Sequence, residues 1–94
     1  MTITARNQIF NSVSGWPGIT DDEKVQLTEF TLHTLWRYRN GEFTLEQLGS
    51  FCKAIVNNDL ISAAVHADST NAKMLTRIVK FYLNLSPGKF SDAI

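Results

Sequence analysis

Glu29 and His33 stand four residues apart in a stretch with helical periodicity. At that spacing a carboxylate and an imidazole share one helix face and could exchange a proton. Nothing else in the chain builds on the pair. Gln26 and Arg37 complete the same stripe, and such a row reads as a solvated strip whose pairings stabilise a helix by roughly 0.2–0.5 kcal/mol each.

Cys52 is the only cysteine. It falls among Leu48, Phe51 and Ile55 on an apolar helix face, where a thiol acts as a small hydrophobe. It has no base of the kind a nucleophile needs. A lone cysteine excludes an internal disulfide and a cysteine-built zinc site, and it fits a reducing, cytoplasmic setting. His33 and His66, the two histidines, are not spaced as metal ligands. The glycines sit at helix ends and turns, and none forms a phosphate-cradling loop. The chain is therefore expected not to be an enzyme and to need no metal or cofactor.

The residues best placed for recognition are cationic. Lys73, Arg77 and Lys80 recur at steps of four and three, forming one stripe opposite the apolar arc of the last helix. From Ser69 to Lys89 there is no acid, while Asp21, Asp22 and Glu23 cluster elsewhere. The stripe is the expected partner-binding surface, extended by Trp36, Arg37 and Arg39, since Arg and Trp dominate interface energetics. An acidic protein surface is the first expected partner and a phosphate backbone the second. A net charge of zero weighs against a globally electrostatic nucleic-acid binder and excludes an acidic mimic. Residues 51–61 fit a helix-turn-helix only loosely. No glycine marks the turn, and the would-be recognition helix from Asp59 to His66 carries no Lys or Arg to reach bases or phosphates.

The elements that must position these residues are helices. Thr20 to Arg39 is the central one. Thr20 and Glu23 make a capping box, acids occupy the first turn, Arg37 and Arg39 the last, and Asn40-Gly41 closes it. Val25, Leu32, Leu35 and Trp36 flank its polar strip on one side. Leu27, Phe30, Thr31, Thr34 and Tyr38 flank it on the other, so neighbours should cover it on both sides. Phe30, Leu32 and Ile55 are expected in the core.

Residues 4–14 predict a first helix with Ile9, Phe10 and Val13 inward. Gly15 to Gly18 breaks it, and Trp16 should tuck over the core edge. Thr44 and Gln47 form a second capping box, with Phe43 and Leu48 as a hydrophobic staple, opening a helix through Val56. Asn57 to Asp59 suits a turn. Leu60 to Val65 predicts a short, buried helix. Asn71 to Leu85 predicts the last, stopped by Ser86-Pro87-Gly88, with a loose tail after it.

The expected architecture is an all-α bundle of four main helices plus one short one, in a single domain over residues 1–94. No apolar run is long enough to span a membrane, and MTITARNQIF lacks the charged-then-apolar pattern of a secretory signal. No family resemblance is carried by quotable motifs. The reading that follows is a protein-binding module: an adaptor, inhibitor or regulator, of host, viral or mobile-element type. A DNA- or RNA-binding regulator ranks second and a homo-oligomeric structural protein third.

Overall fold

The computed structural model describes residues 3–85. Among them the order is α1 (Ile3–Ser14), α2 (Asp21–Gln26), a π turn (Leu27–Thr31), α3 (Leu32–Arg39), a 3₁₀ turn (Leu45–Gln47), α4 (Ser50–Val56), α5 (Leu60–His66), α6 (Ser69–Lys73) and α7 (Leu75–Leu83). The all-α class holds, with no strand among the described residues. The expected stop at Ser86-Pro87-Gly88 and the tail after it lie outside them.

α2, the π turn and α3 run on as one central rod. Its capping box is formed: the Glu23 amide donates to Thr20 Oγ1 at 3.2 Å, and the Thr20 amide donates to Glu23 Oε1 at 2.9 Å. Its end is the expected one, with Gly41 at φ +81°, a conformation that glycine reaches without strain. In its middle, the Leu32 amide donates to the Leu27 carbonyl, five residues back. This wide turn has a cause in the pattern. Leu27-Thr28, Thr31-Leu32 and Leu35-Trp36 are all buried, at intervals of four. Such a repeat drifts by roughly 40° per step in a regular helix. A ring closed five residues back spends one residue more and takes up that drift.

The same turn overrides two expectations. Phe30, expected in the core, is 68% exposed, and Val25 is 50% exposed. A uniform 100° step places Phe30 beside Leu27, and the π turn rotates it out. The rod still packs against α1, α4, α6 and α7, as its apolar coverage requires.

The expected Thr44–Val56 helix is split. The Thr44 amide donates to Gln47 Oε1 at 2.7 Å, but only a 3₁₀ turn follows. Leu48 is extended at ψ 144°, and α4 starts afresh from Gly49. Glycine is a poor residue through which to propagate a helix. The last helix is also divided. It begins earlier than expected, with Asp68 capping Ser69–Lys73, and Met74 at φ −106°, ψ 15° separates α6 from α7.

The core is built from Ile9 and Val13 of α1, Leu27, Leu32, Leu35 and Trp36 of the rod, Phe51, Cys52 and Ile55 of α4, and Met74, Ile78 and Leu85. Trp16 packs half-buried against it, as expected. Phe10 faces out more than α1 periodicity suggests, at 36% exposure. α5 contributes only Ala63. The expectation that Leu60–Val65 is buried is therefore wrong.

Candidate interaction surface

α5 is set up by the turn before it. Asn58 takes the left-handed conformation at φ 60°, which asparagine tolerates better than most residues. Asp59 then caps the helix, accepting from the Ser62 amide at 3.1 Å and the Ser62 hydroxyl at 2.8 Å. Those two bonds, the backbone one first, hold the Asp59 carboxyl below its usual range. So anchored, the helix packs on α4 and turns Leu60, Ile61, Ala64 and Val65 outward on one arc. Leu60 is 50%, Ile61 81% and Val65 74% exposed.

α7 divides into three sectors around its circumference. Ile78 faces the core, with Phe81 and Tyr82 beside it. A second sector, Leu75, Thr76, Val79, Lys80 and Leu83, joins Leu60 of α5 to line a groove of about 320 Å³. The third is the basic margin, where Arg77 and Lys80 are exposed. Among the described residues no carboxylate lies within ion-pair reach of either.

Of the residues expected at the contact surface, Lys73, Arg77 and Lys80 are each exposed, but Lys73 stands on α6, across the Met74 break, and is engaged. Its Nζ donates to Glu23 Oε1 at 2.9 Å, tying α6 to the first turn of the rod. That bond is the main reason the Glu23 carboxyl lies below its usual range. Trp36, Arg37 and Arg39 fall elsewhere. Trp36 is 5% exposed and belongs to the core. Arg37 lies over the Phe43 ring at 5.1 Å and 3.7 Å from Glu42. Arg39 lies over Tyr82 at 4.8 Å and donates from Nε to the Leu85 carbonyl at 2.8 Å. These two arginines fasten the rod's end to its loop and to α7.

The candidate catalytic pair does not assemble. Glu29 reaches across to Arg6 of α1. His33 Nδ1 meets the Glu29 backbone carbonyl at 3.1 Å, and since a carbonyl only accepts, Nδ1 carries the hydrogen. Nε2 is then an acceptor, buried and without a hydrogen-bond partner among the described residues. Burial, with Arg37 nearby, holds the His33 pKa below its ordinary value. Cys52 is buried, its Sγ 3.9 Å from the Thr31 carbonyl, and burial pushes its pKa up to about 11. Such a thiol stays protonated and unreactive at neutral pH. Among the described residues no three His, Cys, Asp or Glu side chains gather as a metal site would need, and no helix is long and apolar enough to cross a membrane.

The groove was missed in the sequence because its walls come from two helices. One signal was available: Leu60-Ile61 and Ala64-Val65, two adjacent pairs four residues apart, give α5 an apolar arc too wide for one neighbour to cover. Comparison of the chain with protein-family models, with curated proteins and with solved structures finds no match.

Proposed function

We propose that the chain is a non-enzymatic protein-binding module, an adaptor, inhibitor or regulator, whose contact surface is the apolar wall shared by α5 and α7. The observation that carries this reading is the outward arc of Leu60, Ile61 and Val65, each at least half exposed and continuous with the groove beside Leu83. Single exposed aliphatics need no explanation, but a contiguous apolar patch marks an interaction site. Burying one such side chain fully is worth about 1.5–3 kcal/mol, so a partner covering the arc gains what the free fold leaves unused. The reading includes a cytoplasmic setting, which the unpaired, buried Cys52 supports.

Selection from a random-peptide display library, followed by amide chemical-shift mapping of the winners, tests it. Binders should perturb residues 60–66 and 75–83 and be lost on Leu83→Asp. Binders that map elsewhere, or none at all, would refute the reading.

A DNA- or RNA-binding role ranks second, favoured by Arg77 and Lys80, which are exposed and have no ion-pair partner among the described residues. Two cations make a small phosphate footprint, and α5 beside them offers aliphatic side chains where a duplex needs donors. Duplex binding that weakens steeply with salt and is lost on Arg77→Glu would promote it.

A further inference from the structure

We infer that the groove between α5 and α7 takes an amphipathic helix of another protein, with aliphatic anchors along one stripe and carboxylates beside them. This rests on the protein-binding reading and goes further by fixing the chemistry of the partner. Three observations converge on it.

The first is shape. Leu75, Val79 and Leu83 recur every four residues along α7, so the apolar floor runs lengthwise for about 12 Å at ~1.5 Å per residue. Leu60 forms the facing wall, with Ile61 and Val65 beyond it. A volume of about 320 Å³ holds side chains, not a whole helix. The occupant therefore lies along the mouth of the groove and inserts anchors at steps of three, four and seven, the helix-in-groove mode of recognition.

The second is charge. From Ser69 to Leu85 the chain carries Lys73, Arg77 and Lys80 and no acid. Lys73 is already paired with Glu23. Lys80 lines the groove itself and Arg77 lies on the same margin. An occupant seated on the aliphatic floor brings its flank against Lys80, with Arg77 farther round the helix adding to the positive field, and only a carboxylate-bearing flank complements that charge.

The third observation selects among occupants. A second copy of this chain would meet the first through the same patch on both sides, as two-fold symmetry requires. A two-fold axis across α7 sets the Arg77–Lys80 margin against its own image, where like charges are costly, and one along α7 sets it against the aliphatic arc of α5. A partner with acids in those places avoids the clash.

The test uses the full chain and two fluorescein-labelled amphipathic helical peptides. Both carry the same leucine stripe. One bears Glu on the flanking positions and the other Lys. Fluorescence anisotropy at low salt should show the Glu peptide binding about tenfold more tightly, with the gap closing at high salt as the charges are screened. Arg77→Glu with Lys80→Glu should invert the preference. Leu83→Asp should abolish binding of both peptides, and since these side chains are exposed, circular dichroism should be unchanged in all variants. Equal binding of the two peptides through Leu83 would overturn the acidic partner while leaving the protein-binding reading standing. Binding of neither would overturn the inference, and the display selection judges the broader reading independently. A dimer in sedimentation that Leu83→Asp dissociates would overturn it too, by giving the groove to a second copy.

Discussion

α5 and α6 are neighbours in sequence, short, and started the same way, yet they meet the rest of the molecule in opposite fashion. Each is capped by an aspartate that accepts from a backbone amide three residues on, Asp59 from Ser62 and Asp68 from Asn71. α6 reads STNAK and is polar, but Thr70 and Asn71 are buried. α5 reads LISAAVH and is apolar, but only Ala63 is buried. The reason lies in what each faces. α6 is fastened to the rod by a polar seam. Thr31 Oγ1 donates to Asn71 Oδ1 at 2.8 Å, Thr70 Oγ1 to Gln26 Oε1 at 3.1 Å, Gln26 Nε2 to Asp68 Oδ2 at 3.1 Å, and Lys73 to Glu23. Every polar group buried there finds a partner, which makes burial tolerable. α5 has no such polar seam, and of its aliphatic arc Leu60 meets only the open groove beside α7 while Ile61 and Val65 stay exposed. Burial of a short helix is thus decided by its neighbours and not by its own polarity. The polar helix is closed to new contacts and the apolar one is open to them.

The largest expected effect concerns the core that both helices rest on. Leu32→Ala and Ile55→Ala each remove a buried aliphatic side chain and should cost about 2–5 kcal/mol in urea unfolding. Phe30→Ala should cost less than about 1 kcal/mol, because that ring is already in water. A Phe30 loss as large as that of Leu32 would mean that the π turn does not rotate the ring outward in solution.

The next effect cuts the seam. Asn71→Ala leaves the buried Thr31 hydroxyl without its acceptor, and an orphaned buried group costs about 1–3 kcal/mol. Thr31→Val made together with Asn71→Ala should cost less than the two single changes added, because the second removes the group the first orphaned. Strict additivity in this double-mutant cycle would show that the Thr31–Asn71 bond does not hold α6, and the contrast with α5 would lose its cause.

Much of this fold was legible in the chain. Helix starts and stops rest on neighbours in sequence, so Thr20 with Glu23, Thr44 with Gln47, and Asn40 with Gly41 could be read directly. The core positions Leu32, Leu35, Phe51 and Ile55 followed from periodicity. Periodicity also misled, because it assumes one angular step throughout. The π turn breaks that assumption at Phe30, and Gly49 and Met74 interrupt helices that the pattern runs straight through. The candidate surface was half legible. Arg77 and Lys80 could be placed on an exposed margin from α7 alone. Lys73, Trp36, Arg37 and Arg39 could not be placed, since their fates depend on Glu23, the core, Phe43 and Tyr82. The seam was illegible for the same reason, because Thr31 and Asn71 lie 40 residues apart.

The smallest expected effect is the sharpest probe of the comparison. Ile61→Ser with Val65→Ser should change unfolding free energy by no more than about 0.5 kcal/mol. Ile61 is 81% and Val65 74% exposed, so both side chains are nearly as wet in the folded chain as in the unfolded one. Their hydrophobic contribution to folding is accordingly small. Backbone preference gives little either way, since isoleucine, valine and serine rank close together in a helix interior. The cap at Asp59 and the contact of Ala63 are untouched. A loss well above 1 kcal/mol at every protein concentration would mean that something within the chain covers the arc, and α5 would then be no more open than α6. A loss that grows with protein concentration would instead mark self-association through the arc, because a bound second copy stabilises the fold by mass action. Only a near-neutral result, independent of concentration, leaves the arc free for a different partner.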